Sequence, residues 1–143
     1  MTTTYENHGL KFMYPENWTI SDPSGDELPH QISVETPDGG LWAVSLFPVE
    51  SETDELLKDA VAALEETYDE VEVSAAEDDF TPFQSQGVDA FFYCLDFVVS
   101  ARVRVFSLPD QKLVVLYQAE SREFDKQLDV FRAMTLSMLQ STQ

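Results

Sequence analysis

The side chains most often used for catalysis or zinc binding are scarce in this chain. It contains two histidines, His8 and His30, and one cysteine, Cys94. Neither histidine has a cysteine or a second histidine three or four positions away, so the common zinc spacing is absent and surface histidines are expected. Cys94 falls in an apolar run, where a thiol is normally an inert small hydrophobe. The sequence therefore predicts no catalytic residue, no such zinc site and no cofactor.

Acidic side chains gather where the first predicted helix ends, at Glu65, Glu66, Asp69, Glu70 and Glu72. Negative charge is unfavourable at a helix C-terminus, which suggests a compensating cation or a basic partner. The spacing matches no calcium loop, and hard cations need several convergent oxygens. The simpler interpretation is a solvated acidic face.

The whole chain is acidic. Its 143 residues include 27 Asp and Glu against 8 Lys and Arg, which gives a formal net charge of -19. Such a charge repels phosphate backbones and anionic headgroups. We expect no nucleic-acid partner, and either a solubilising acidic surface or a basic protein partner.

The N-terminal residues and the single cysteine indicate the cellular compartment of the protein. The first residues, M-T-T-T-Y-E-N-H, lack the basic start and apolar stretch of a signal peptide, and one cysteine allows no internal disulfide. No run approaches the roughly 18 apolar residues that span a bilayer. These features predict a cytoplasmic protein without membrane insertion.

The densest run of aromatic and β-branched residues extends from Val88 to Gln118 and predicts the central strands of a sheet. A three-residue loop at Val98–Ser100 would pair Phe97 with Ala101 and place Asp96 opposite Arg102, and an uninterrupted strand would keep the same parity. Because strand side chains alternate between faces, either arrangement predicts one continuous apolar face, made of Phe91, Tyr93, Leu95, Phe97, Ala101, Val103 and Val105.

The remaining elements follow from turns and periodicity. Pro15–Asn17 indicates a short hairpin or bend, 21–29 a loop, and Pro37–Gly40 a hairpin turn between two strands. A helix begins near Ser51 and runs to about Tyr68, with a stripe at Leu57, Ala60, Val61, Leu64 and Tyr68. After an irregular 75–85 and the central strands, a helix capped by Ser121 buries Phe124, Leu128, Phe131, Met134 or Thr135, and Met138.

The predicted order is β-β-β-β-α-β-β-β-β-α. It indicates an α+β domain in which a single antiparallel meander of about six to eight strands packs with two helices.

Gly9–Ile20, G-L-K-F-M-Y-P-E-N-W-T-I, resembles the F-x-x-P-x-x-W start of the PsbP-like and DcrB-like domains. Gln86–Ala90 and Phe131–Met138 follow the same plan, so the resemblance covers nearly all of residues 1–143 as one domain. The family includes an extrinsic photosystem II subunit, a nuclear-transport factor that binds the GTPase Ran, and small DcrB-like bacterial proteins. In this motif Trp18 is expected to be a mostly buried anchor and Gly87 a position open to positive φ.

The resemblance and the missing catalytic constellation together imply a non-enzymatic binding module, either a protein-interaction adaptor or a small chaperone. The alternative is a divalent-cation or small-ligand-binding domain that uses the acidic cluster. If both helices packed on one face, the other would stay open and bind a protein partner or a second copy in a homodimer. The predicted partner-binding residues are Phe92, Arg104, Phe106, Val115 and Tyr117.

Overall fold

The computed structural model describes residues 1–22, 30–76, 80 and 83–142. Most of the predicted loop at 21–29, and residues 77–79 and 81–82 of the irregular 75–85, lie outside this range. The described elements, in chain order, are β1 (Thr2–Asn7), β2 (Leu10–Pro15), β3 (Thr19–Ser21), β4 (Gln31–Glu35), β5 (Leu41–Pro48), α1 (Thr53–Thr67), β6 (Asp69–Ala75), β7 (Ser85–Cys94), β8 (Phe97–Ser107), β9 (Gln111–Glu120) and α2 (Ser121–Thr142).

The strands form a seven-stranded sheet in the order β3-β4-β5-β9-β8-β7-β6 and a two-stranded sheet of β1 and β2, and every pairing is antiparallel. The predicted α+β class, with an antiparallel sheet and two helices, is confirmed. The meander, however, is interrupted. Because α1 carries the chain from β5 to the far edge strand β6, β5 pairs with the last strand, β9.

The N-terminal strand β1 is an addition to the predicted order. It pairs with β2 through a two-residue turn in which His8 and Gly9 both have positive φ, as hairpin turns of this length require. Since β2 pairs with β1 and β3 pairs with β4, the segment at Pro15–Asn17 is a bend and not a hairpin. The Trp18 amide closes it by donating to the Pro15 carbonyl at 3.0 Å.

The turn between β7 and β8 differs from the sequence prediction. It consists of Leu95 and Asp96, and Cys94 pairs with Phe97, so the three-residue loop at Val98–Ser100 is wrong. Arg102 therefore lies opposite Asp89 and not opposite Asp96. A two-residue turn places even-numbered residues of β7 on the same face as odd-numbered residues of β8, whereas a three-residue loop keeps one parity. The predicted continuous apolar face is consequently split between the two sides of the sheet.

The two helices cover opposite faces. α2 contacts β2, β8 and β9, and its buried residues Phe124, Phe131, Met134 and Met138 join the larger core. α1 packs on the other face, where Leu56 and Leu64 meet Val103 and Val105. The stripe predicted for α2 is confirmed at these four positions. In α1 the buried leucine near the start is Leu56, and Leu57 is only partly buried.

The tryptophan that anchors the core is Trp42, not Trp18. Trp42 is fully buried on β5, whereas Trp18 is half-buried at the edge of the core and meets Phe131 edge-to-face at 5.6 Å between ring centroids. Trp18 follows the bend and directly precedes the edge strand β3, so it reaches the core from the side. Trp42 lies on the inner strand β5, on the face that α2 covers, and its indole bonds to Thr135 of that helix.

Candidate partner-binding surface

The five residues predicted to bind a partner are all buried in the folded chain. Phe106, Val115 and Tyr117 lie in the core beneath α2. Phe92 lies beneath α1 and stacks on Tyr68, with 4.1 Å between ring centroids. The condition for an open second face is not met, because the helices pack on opposite sides. Partner binding through these side chains stays a prediction, and in this fold it would require a helix to leave the sheet.

Arg104, the fifth of them, is a structural group. Its guanidinium is 2% exposed, donates to the carbonyl oxygens of Val88 and Val103 at 3.1 Å each, and pairs with Asp89 Oδ1 at 3.1 Å. Its side chain lies across Gly87, the residue opposite it on β7. A Cβ at Gly87 would stand 2.2 Å from the Val103 carbonyl oxygen and 2.7 Å from Arg104 Cδ. Gly87 is therefore required for space, and its φ is not positive.

Most of the exposed large apolar side chains of the described residues lie at the end of the β7–β8 hairpin. We call this surface the hairpin-end patch. Leu95, in the turn, is 90% exposed, and the other members are each between 39% and 50% exposed. The patch consists of Phe91, Tyr93, Leu95, Phe97 and Val98. Single exposed apolar residues are ordinary, whereas several exposed apolar side chains close together are typical of interaction sites.

The position of α2 explains why this end is uncovered. The helix begins at Ser121, whose hydroxyl lies 2.8 Å from that of Ser100. Ser100 pairs with Phe91, and Val98 pairs with Tyr93 further toward the turn. Phe91, Tyr93 and Val98 share the face on which α2 packs, but they lie at or beyond the first residue of the helix. Phe97 faces the other side, next to the exposed Cys94.

Carboxylates border the patch. Directly paired residues of antiparallel strands point to the same face, and Asp69 and Glu72 of β6 pair with Tyr93 and Phe91. Asp96 occupies the turn beside Leu95. All three acids are exposed. The patch is thus apolar at its centre and negative at its rim.

Leu95 has an unfavourable backbone conformation for its type. Its φ is 57°, in the left-handed region that glycine and asparagine adopt readily and a leucine rarely does. The side chain is also the most exposed of the patch. Neither its backbone nor its burial gives leucine an advantage for folding at this position.

The two histidines that are separate in the sequence come together in the structure. Their rings stack with 4.0 Å between centroids, and His8 Nε2 lies 3.1 Å from Asp22 Oδ2. Tyr5 donates its hydroxyl to the same oxygen at 2.7 Å, and burial, followed by this hydrogen bond, raises the pKa of Tyr5 above its ordinary value. His8 and His30 thus join the β1–β2 turn to the residue before β4, so the prediction of isolated surface histidines is wrong.

The acidic residues at the end of α1 do not converge. Glu65, Glu66, Asp69, Glu70 and Glu72 are exposed along the helix end and the edge strand β6. Within the part of the chain that the structure describes, no three His, Cys, Asp or Glu side chains are grouped so that they could hold a metal ion.

No helix of the described residues has the length and apolar character needed to cross a bilayer.

Solved structures share the architecture described above. The solution structure of the cyanobacterial PsbP (CyanoP) of Synechocystis sp. PCC 6803 superposes with a TM-score of 0.66 over 95% of this chain and 90% of that chain, at 12% identity. The chain has a PsbP-like fold. The predicted resemblance, made from Gly9–Ile20 and two later segments, is therefore confirmed for the fold.

Two further structures have this PsbP-like fold. LpqN of Mycobacterium tuberculosis, described as involved in cell envelope biogenesis, has a TM-score of 0.57 and 14% identity over 94% of this chain and 87% of that one. A Pseudomonas aeruginosa protein of unknown function, described as a putative regulator, has a TM-score of 0.55 and 8% identity over 96% and 95%. No family profile and no curated protein matches the sequence. At these identities the likeness concerns the fold alone.

Proposed function

We propose that the protein is a non-catalytic binding module, an adaptor or a small chaperone, which binds a basic segment of a protein partner through the hairpin-end patch. The observation that carries this proposal is the coincidence of exposed aromatic and aliphatic side chains with an acidic rim. Residues 1–143 act in it as one domain. The PsbP-like fold that the chain shares with CyanoP and LpqN is compatible with such a role.

The apolar centre of the patch would supply affinity. Full burial of one Phe or Leu side chain contributes about 1.5–3 kcal/mol, and aromatic side chains dominate the energetics of interface centres. Phe91, Tyr93 and Phe97 are each about half exposed, so a partner could bury the remaining surface. Because Phe91 and Tyr93 belong to a paired strand, they are held in place before the partner arrives, which lowers the entropic cost of binding.

The acidic rim selects the charge of the partner. Asp69, Glu72 and Asp96 border the patch in a chain whose net charge is -19, so a Lys- or Arg-rich segment is attracted at long range and can pair at the rim. A second copy of the chain carries the same charge and would be repelled. The basic partner is therefore favoured over the homodimer.

The same surface argues against catalysis as its purpose. The patch contains no histidine, and the carboxylates Asp69, Glu72 and Asp96 around it are exposed, so a substrate there would meet only solvated acids. Cys94, next to Phe97, is an exposed free thiol. Free thiols persist in reducing compartments, which supports a cytoplasmic location as part of the proposal.

A peptide array in which net charge and aromatic content vary independently tests the proposal. We expect the protein to retain peptides that are both basic and aromatic, and to retain neither basic polar peptides nor acidic aromatic ones. Phe91→Ser should lose this retention. Val49→Ser, which alters an exposed apolar residue at the opposite end of the sheet, is the matched control. Retention that follows charge alone, or that survives in Phe91→Ser, would refute the patch as the site.

A further inference from the structure

A groove runs along α1 on the face of the sheet opposite α2. Its volume is about 390 Å³, and small-molecule sites in proteins measure about 300–1,000 Å³. It shares no residue with the hairpin-end patch. The floor is formed by side chains of β5 and β9 that point to the α1 side, in the cross-strand pairs Leu41 with Gln118, Ala43 with Leu116, and Ser45 with Val114.

The groove exists because small residues face each other across it. α1 is held over β8 by Leu56 and Leu64, which pack on Val103. On the side of the helix toward β5, the lining residues are Ala60 and Ala63, and the strand beneath presents Ala43 and Ser45. These small residues leave an open space beside the larger lining side chains Phe47 and Tyr68. A protein interior is normally packed without such a gap.

The lining has one charge. Among the described residues that line the groove, Asp59 is the only acid, and there is no lysine, arginine or histidine. Gln31, Gln118 and Thr67 supply neutral polar groups near its edges. An anionic head group would thus meet Asp59 without a cation to pair with, while a cationic one would find a carboxylate beside an apolar floor.

We propose that this groove binds a single-chain amphiphile with a cationic head group. The alkyl chain lies on the floor between Ala43 and Leu116, and the ammonium group pairs with Asp59. The inference is separate from protein binding at the hairpin end, and either can hold without the other.

Displacement of a neutral fluorescent probe, N-phenylnaphthylamine, tests the groove. The probe should fluoresce with the wild-type protein, and dodecylamine should displace it at a concentration at least tenfold lower than dodecanoate, at equal ionic strength and below micelle formation. Asp59→Asn should abolish most of this preference. Asp54→Asn removes the same charge from the other side of α1 and should leave the preference intact.

Substitutions that fill the groove with a larger side chain test whether the probe binds there. Ala63→Trp should abolish probe binding, whereas Ala62→Trp, at the adjacent exposed position outside the lining, should not. Ser45→Leu fills the same space from the sheet and serves if Ala63→Trp does not fold. Equal displacement by dodecanoate and dodecylamine would overturn the cationic ligand. Probe binding that persists in a folded groove-filled variant would overturn the site.

Discussion

Trp42 Nε1 donates a hydrogen bond to Thr135 Oγ1 at 3.0 Å, and the same hydroxyl donates to the Phe131 carbonyl at 2.9 Å. Trp42 and Thr135 are both fully buried, and the bond joins β5 to α2. Thr135 is thus a buried polar contact between the helix and the sheet. Since an unpaired N–H in an apolar core is costly, the threonine hydroxyl is needed for more than packing.

Thr135→Val should lower the free energy of unfolding by about 1–3 kcal/mol, because it keeps the shape and leaves the indole N–H without its acceptor. Thr67→Val is the control. Its hydroxyl makes the same bond to the carbonyl four residues earlier, but on an exposed turn of α1, so its loss should be small. Urea denaturation of both variants checks this. Equal losses would show that the Trp42 bond contributes nothing.

Gly87→Ala should destabilise the protein by about 1–3 kcal/mol, the usual cost of forcing extra atoms into a packed site. The new methyl group would press on the backbone oxygen of Val103 and on the buried Arg104. Gly9→Asn provides the comparison, since Gly9 has open space around it and asparagine tolerates its positive φ. If thermal unfolding showed Gly87→Ala to be the milder change, the tight β7–β8 contact would be wrong.

Leu95→Asn should raise the free energy of unfolding by about 1 kcal/mol, because asparagine adopts the left-handed conformation at lower cost and no buried contact is lost. The same change should weaken binding of basic aromatic peptides. A variant that is more stable and binds less well would show that Leu95 is retained for recognition. Loss of stability would instead mean that the leucine supports the hairpin.

Tyr5 should make stability fall at alkaline pH. Its pKa is raised in the folded state, so the stabilisation is fully present below the ordinary tyrosine value of about 10 and is lost as pH rises from there toward the folded pKa. The free energy of unfolding of wild type should therefore approach that of Tyr5→Phe between about pH 9 and pH 11.5. The wild type and Tyr5→Phe share all other tyrosines, so the titration of those groups cancels in the difference between the two free energies of unfolding. A constant difference across this range would contradict the buried hydrogen bond to Asp22.

Local signals in the sequence were enough for much of the fold. The predicted Pro37–Gly40 turn is closed by bonds between Thr36 and Gly40, and Gly39 has positive φ. The apolar period of α2 also identified its buried side. These features depend on residues close in the chain, for which propensity and periodicity are informative.

The hairpin end was not predictable in the same way. Leu95 and Asp96 are not the residues that a two-residue turn normally requires, so a longer loop was placed nearby and the strand parity was reversed. That error assigned Phe91, Tyr93 and Phe97 to one continuous apolar face with Val103 and Val105. The assignment of Phe106 and Tyr117 to a partner surface had another source, the supposition that both helices pack on the same face, whereas α1 and α2 cover opposite faces. The pairing of β5 with β9 was likewise missed, because it joins segments far apart in the chain.

The binding of a basic aromatic segment at the hairpin end is tested most directly by calorimetric titration of the best peptide from the array. Leu95→Lys, which removes the apolar side chain and places at the centre of the patch a charge that repels a basic partner, should raise Kd at least tenfold, about 1.4 kcal/mol. Val49→Lys introduces the same charge at the opposite end of the sheet and should leave Kd within twofold of wild type, about 0.4 kcal/mol. Equal weakening by the two variants, or none by Leu95→Lys, would contradict a binding site at this surface.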